Sequence, residues 1–271
     1  MSDLDIVCNI AKQAGDILLD FSSRLDSEQI SSKSSSRDLV TAADLESEQF
    51  IVAKLKQYFP ESSFWAEEQH SVDDGAEVQW CIDPLDGTVN FVQQLPIYAV
   101  SIARLVDKKV DLAVVYLPEL KQCFSASTAQ ATELNGVAVQ ISEATNLSDA
   151  VLATGFPYRR HLLKDNNLEN FNRMFHNQRG IRRMGAAAVD LAYVACGKLD
   201  AYWELHISPW DVAAGAYLVK RAGGEVDTIV PGGDWLSGGN ILAGPTALLS
   251  ELRQHLLKGR DSTYPDLSEA D

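Results

Sequence analysis

The chain has few cysteines, no clustered histidines, no long apolar run and a shortage of basic residues. Its four cysteines (Cys8, Cys81, Cys123 and Cys196) form no CxxC pair, which argues against a zinc ribbon or a dithiol redox motif. Reduced thiols buried in a core are the simpler reading, and they fit a cytoplasmic location. The five histidines are scattered and make no HExxH, the signature of one large class of zinc hydrolases. The first residues, Met1-Ser2-Asp3-Leu4-Asp5, are acidic where a secretory signal peptide is basic. No apolar run approaches the length of a membrane span. Lys and Arg number 23 against 38 Asp and Glu, for a net charge of −15. That balance predicts neither a nucleic-acid surface nor an anionic-membrane surface, both of which need clustered positive charge.

What is present is an ordinary globular composition, 46% hydrophobic over 271 residues, enough for one large domain or two small ones. The expected organisation is a single domain over 1–257, with any division into halves near 146–149, and a polar tail over 258–271. Ile6, Ile10, Ala14, Ile17 and Leu18 recur at helical spacing and predict a helix over 5–21. A Ser-rich loop over 31–37 precedes a second predicted helix over 42–58, which Pro60 ends. Residues 63–66 read as a short buried strand. Short apolar runs at 98–106, 110–117 and 122–125, separated by charged or Pro-containing turns, predict an antiparallel meander. Farther on, strands at 150–154, 201–204 and 240–243 alternate with helices at 162–178, 185–196, 212–221 and 245–257. The class is α+β.

Chemistry concentrates in Trp80-Cys81-Ile82-Asp83-Pro84-Leu85-Asp86-Gly87-Thr88-Val89-Asn90-Phe91. Two carboxylates stand three residues apart, straight after an apolar run. Pro84 between them fixes the backbone and removes a donor. The two acids would repel each other unless a cation sat between them. Gly87 permits close backbone approach, and Thr88 adds a hydroxyl. Mg²⁺ takes oxygen ligands and shares them with phosphate, and bound metal would reverse the local sign that otherwise repels a phosphate from so acidic a protein. The segment therefore predicts a metal-assisted phosphoryl site. Other acids at the edges of apolar segments are Asp44, the pair Glu67-Glu68, and Asp211. Taken alone, Asp44 in Thr41-Ala42-Ala43-Asp44 reads as part of a capping box. Asp211 in Ser208-Pro209-Trp210-Asp211 reads the same way, although an acid at a helix N-terminus can also serve a metal. By themselves, Lys33 reads as solvated, Trp203 and Trp210 as core, and Gly223-Gly224 as a helix C-cap.

Three segments taken together, in order, resemble the inositol monophosphatase family of Mg²⁺-dependent, lithium-sensitive phosphatases. The residues from Asp83 to Thr88 resemble its DPxDGT segment, those from Trp210 to Gly215 its WDxAAG segment, and Ala66-Glu67-Glu68 its GEE segment. The resemblance implies a five-layer α-β-α-β-α sandwich, a homodimer, two or three Mg²⁺ ions and a small-molecule phosphate monoester as substrate. It implies Glu67, Asp83, Asp86, Asp211 and the Leu85 carbonyl as metal ligands. Asp44 and Thr88 would orient the attacking water, with Glu67 beside them, and the amides of Gly87 and Thr88 would hold phosphate oxygens. Lys33, Gly185 and Ala187 would line the substrate, and Glu204 would pair with its hydroxyls. Arg182 matches a position near the dimer interface. The implied reaction is hydrolysis of inositol 1-phosphate or a related polyol phosphate by metal-activated water. No Cys or His nucleophile motif supports a covalent route. Relatives act instead on histidinol phosphate, fructose 1,6-bisphosphate or 3′-phosphoadenosine 5′-phosphate, and some bacterial relatives bind the transcription machinery as regulatory partners. Ala66 departs from the family's Gly, and His206 stands where inositol-specific members often have Gly. The latter change lies on the leaving-group side.

Overall fold

The computed structural model describes residues 1–27, 33–69, 71–72, 76–176 and 178–268, with backbone alone at 26–27, 33–41 and 71–72. Two long helices, α1 (Asp3–Ser27) and α2 (Lys33–Tyr58), open the chain. The strands β1 (Ser63–Ala66), β2 (Ser71–Val72) and β3 (Val78–Asp86) follow, then the short helix α3 (Thr88–Val92). A meander comes next: β4 (Ala99–Val106), β5 (Lys109–Leu117), β6 (Gln122–Ser127), β7 (Gln130–Leu134) and β8 (Val137–Ala138). The second half contains β9 (Val151–Thr154), α4 (Leu168–Met174), β10 (Gly180–Arg182), α5 (Ala187–Ala195), β11 (Ala201–Leu205) and α6 (Pro209–Arg221). It ends with β12 (Glu225–Asp227), β13 (Asn240–Gly244) and α7 (Thr246–Leu257). No described helix is long and apolar enough to cross a membrane.

The first sheet runs β2-β1-β3-β4-β5-β6-β7-β8 and the second β10-β9-β11-β13-β12. In the first, β1 lies parallel to β3 and the meander from β3 to β8 is antiparallel. Three apolar clusters separate five layers. One joins α1 and α2 to the outer face of the first sheet, through residues such as Leu18, Ile51, Trp80 and Ile102. The second fills the space between the sheets around α5 and α6. The third seals the outer face of the second sheet under α7, with Trp203, Leu242 and Leu252. The α+β class is the one the sequence predicted, and the five layers are those the family resemblance implied. Strand alternation explains the layering: Leu112, Val114 and Tyr116 face α1, while Ala113, Val115 and Leu117 face the middle layer.

Two of the boundaries that differ from the sequence reading bear on the site. α2 begins at Lys33, not near 42, so part of the expected Ser-rich loop is its first turn; residues 31–32 lie outside the described residues. No Gly or Pro interrupts that stretch, and Ser is only a mild helix opponent. The expected helix over 162–178 is confined to α4. Asn167 stops it from starting earlier, because it is held in the left-handed region at φ 71°. Its amide donates to Thr154 Oγ1 (2.8 Å) and the Gly155 carbonyl (2.7 Å), and its Oδ1 accepts from Trp203 Nε1 (2.9 Å).

Gly215 lets α5 and α6 cross closely in the middle layer. A Cβ there would stand 2.6 Å from Leu191 Cβ, an atom that cannot swing aside. Gly in a helix interior ordinarily costs about 0.5–1 kcal/mol relative to Ala. Here close packing outweighs that propensity. Gly215→Ala is expected to destabilise the protein by about 1–3 kcal/mol, as overpacking does, measured by urea unfolding. A stabilised variant would show that α5 and α6 are not in register at this residue.

Candidate active site

The site begins with a fault in a strand. Along β3, Trp80 and Ile82 face α1 and α2 while Cys81 faces the middle layer. Strict alternation would send Asp83 and Asp86 to opposite faces, because they are an odd number of residues apart. The ladder with β4 shifts here: Asp83 pairs with Ser101 and Asp86 with Ala99, so β3 carries one extra residue. Pro84, which cannot donate to the ladder, sits in this bulge. Past it the faces exchange. Leu85 joins the cluster under α1 and α2, and Asp86 turns to the middle layer. There its Oδ1 and Oδ2 accept from the amides of Ala187 (3.2 Å) and Ala188 (2.7 Å) at the start of α5. Asp83 Oδ1 braces the bulge by accepting from the Leu85 amide at 2.9 Å.

Other elements bring further acids. Asp211 stands in the first turn of α6, where its Oδ2 accepts from the Ser208 amide at 2.9 Å. The capping reading of Asp211 therefore holds, and Asp211 also belongs to the cluster: carboxylate oxygens of Asp83, Asp86 and Asp211 lie within 4.8 Å of one another. Glu67 follows β1, its amide donating to the Ile82 carbonyl at 3.2 Å, and its side chain reaches Asp83. Asp44 is not a cap. It lies inside α2, it is buried, and its Oδ1 has no hydrogen-bond partner. Thr88 opens α3, and its hydroxyl donates to the Leu85 carbonyl at 3.3 Å, not to Asp44. Gly87 takes φ 93°, and a Cβ there would stand 2.9 Å from the Ile97 carbonyl oxygen, so only glycine fits.

A cavity of about 240 Å³ collects these groups. Glu67, Asp83, Leu85, Asp86, Gly87, Thr88, Gly185, Ala187, Glu204 and Asp211 all line it; Asp44 does not. The side chain of Lys33 lies outside the described residues. Sequence reasoning missed several supports. Asn90 donates to the carbonyls of Ile97 (2.6 Å) and Met184 (2.8 Å), tying α3 to the segment that carries Gly185. On the leaving-group side Tyr202 donates to Glu204, whose carboxylate lies directly over Gly155, where no Cβ fits. Asp190, also lining the cavity, is buried with one oxygen unpaired. His206 adopts φ 56°, a region that glycine enters freely and other residues rarely. That backbone accounts for the family's Gly here, and the ring nitrogen Nε2 contacts the Asp165 carbonyl at 3.0 Å.

Burial and mutual repulsion raise every carboxyl in the cluster. Asp83 and Asp86 are pushed well above the ordinary carboxylate range, first by desolvation and then by Glu67 for Asp83 and Asp211 for Asp86. Desolvation, then Asp211, lifts Glu67 to about 7. Desolvation, then Glu68, lifts Asp44 to about 8. Asp211 reaches about 6, burial outweighing the Ser208 amide that opposes it. Among the described residues no Lys or Arg forms an ion pair with any of them. An all-oxygen donor set with unneutralised charge fits a hard divalent cation such as Mg²⁺.

The raised values fix the sign of a pH effect. Between pH ~4 and ~8 the folded chain holds protons that the unfolded chain has lost, so metal-free stability falls as pH rises through that window. Thermal unfolding in EDTA is expected at a lower Tm near pH ~8 than near pH ~5.5, by about 2–4 °C for each kcal/mol lost. Added Mg²⁺ should raise Tm more at the higher pH, where the ligands are ionised. A Tm flat across the window and indifferent to Mg²⁺ would rule out a cation site here.

Comparison with known proteins agrees with this geometry. The profile of the inositol monophosphatase family matches residues 2–260. The "Nus factor SuhB" of Pseudomonas aeruginosa is 40% identical over 264 residues, covering 93% of this chain and 96% of the relative. That of Escherichia coli K12 is 36% identical over 258 residues, with 93% and 96% covered. Among solved structures, an inositol monophosphatase from Anabaena (Nostoc) sp. PCC 7120 superposes with a TM-score of 0.86 at 35% identity, covering 96% of this chain and 97% of that one. An extragenic suppressor protein suhB from Bartonella henselae gives 0.82 at 32% identity, with 94% and 98% covered. The chain belongs to the inositol monophosphatase family.

Proposed function

We propose that this protein is a Mg²⁺-dependent phosphate monoester hydrolase acting on inositol 1-phosphate or a related polyol phosphate. The observation that carries the reading is the convergence of Asp83, Asp86 and Asp211 within 4.8 Å, without a basic partner among the described residues, beside Gly87 and Thr88. Glu67, Asp83, Asp86, Asp211 and the Leu85 carbonyl would hold Mg²⁺. When bound, Mg²⁺ supplies Lewis-acid stabilisation of phosphoryl charge and lowers the pKa of water. The start of α3 offers backbone amides to phosphate oxygens, since the first amides of a helix have no intrahelical acceptor. Asp44, buried with an unused oxygen, is the chain's reserve acceptor for a proton or hydrogen bond behind Glu67. Thr88 would turn its hydroxyl from Leu85 towards the attacking water. Glu204, fixed by Tyr202 and raised to about 7 chiefly by burial, would pair with hydroxyls of the alcohol portion.

Phosphate release should be measured with Mg²⁺ on inositol 1-phosphate, fructose 1,6-bisphosphate, histidinol phosphate and 3′-phosphoadenosine 5′-phosphate. Preference for inositol 1-phosphate is expected. Preference for another of the four would keep the chemistry and replace the substrate. Asp86→Asn should lower kcat/KM by more than about 100-fold, the upper range for groups that merely support a metal ligand. Retention of most activity would remove Asp86 from the site.

Glu204→Gln should raise KM for a polyol phosphate more than for an aryl phosphate. Equal effects on both would deny Glu204 a part in specificity.

A second, non-catalytic role is proposed on the relatives' name, Nus factor, at 40% and 36% identity. It is association with the transcription machinery through protein contacts. Tagged chain should co-purify RNA polymerase subunits, and Asp86→Asn should do so equally. Loss of the association in that variant would make the role depend on the acid cluster.

A further inference from the structure

The buried stripe of α2 carries polar residues where apolar ones are expected. Ala43, Ile51, Val52 and Leu55 pack on the first sheet, and Asp44, Ser47 and Glu48 lie on the same stripe, all buried. Ser47 and Glu48 hold backbone belonging to two ligand-bearing segments. Ser47 Oγ donates to the Pro84 carbonyl at 3.1 Å, inside the β3 bulge. Glu48 accepts from the Glu68 amide through Oε2 at 2.8 Å and from the Gln69 amide through Oε1 at 2.9 Å. With the Glu67 amide bound to Ile82 at 3.2 Å, three consecutive amides of one turn are tied down. Two of the three go to a single side chain that is 0% exposed.

We infer that Glu48 is the positioning residue for Glu67: its carboxylate holds the turn that aims Glu67 at the metal. The inference rests on the metal-dependent reading of the site. Both oxygens of Glu48 accept, and bonds from amides to a carboxylate are among the stronger ones. The turn joins β1 to β2, whose ladder holds it by only two residue pairs. Without Glu48, two buried amides would lose their partners and the turn would rearrange to find water. The Glu67 side chain would then sample other directions, and metal would bind less tightly although Glu67 itself is intact. The effect should fall on metal affinity and leave chemistry at saturating metal largely unchanged.

The test is Mn²⁺ binding, followed by calorimetry or electron paramagnetic resonance, in wild type, Glu48→Gln, Glu67→Gln and the double variant. In Glu48→Gln one acceptor becomes an NH₂ group facing an amide N–H. Mn²⁺ affinity is expected to fall about tenfold or more, as for other groups that orient a ligand. The half-saturating Mg²⁺ for phosphate release should rise in parallel, with kcat at saturation within about threefold of wild type. In the Glu67→Gln background, Glu48→Gln should change Mn²⁺ affinity no further, because both act through one ligand. Wild-type Mn²⁺ affinity in Glu48→Gln, or full additivity of the two substitutions, would overturn the inference. Where Glu48→Gln does not fold, Glu48→Asp carries the test: it keeps the charge, shortens the reach, and should give a smaller loss of affinity. Wild-type affinity in folded Glu48→Asp would again overturn it. Wild-type protein that binds Mn²⁺ but releases no phosphate would overturn the proposed function and leave the role of Glu48 standing.

Discussion

Concentrated negative charge in a dry place governs this structure. Like charges a few ångströms apart in a poorly solvated interior repel strongly, and burying even one unpaired carboxylate is costly. Asp83, Asp86, Asp211 and Glu67 are gathered regardless. The surrounding architecture reads as a set of answers to that cost. Amides at the start of α5 take both oxygens of Asp86, and the first turn of α6 takes one of Asp211. Helix N-termini carry partial positive charge, so the middle layer aims two of them at the cluster. What they leave uncompensated is negative charge of the kind a hard cation would neutralise.

The layers serve that arrangement. α2 presses on one side of β3 and ties down the segments around Pro84 and Glu68. The middle layer, closed up by Gly215 against Leu191, brings α5 and α6 close enough for their first turns to reach one point. The second sheet supplies Glu204 from β11, seated over Gly155 at the end of β9. Rigid elements converge from both halves of the chain on a cavity of about 240 Å³.

How much of this was legible follows from where each signal lies. The α+β class, the meander and the acids around Pro84 stand in contiguous sequence, and alternation with turn residues reveals them. Asp44 misled because Thr41-Ala42-Ala43-Asp44 has the spacing of a cap, yet the helix had already begun at Lys33. Local chemistry cannot show that an earlier turn of Ser residues is helical. Ser47 and Glu48 did leave a trace: they are polar residues in phase with Ala43, Ile51 and Leu55, which a hydrophobic periodicity should not contain. Asn90, Gly155 and Asn167 left none. Their partners are distant in sequence or are backbone atoms, as with Asn90 and the Met184 carbonyl. The short strands β10 and β12, three residues each, fall below the length at which alternation is informative.

The bulge at Pro84 has an evolutionary corollary. The two aspartates share a face only because β3 holds one residue more than β4 between their paired positions. Loss of one residue between Asp83 and Asp86 would restore regular pairing and still leave both acids on one face, but it would remove the bulge that turns the Pro84 carbonyl to Ser47 and the Leu85 amide to Asp83. The length of this segment is therefore constrained along with its two acids. Divergence around the site is thereby channelled into substitution and away from insertion or deletion, much as a codon frame tolerates changed letters but not a changed count.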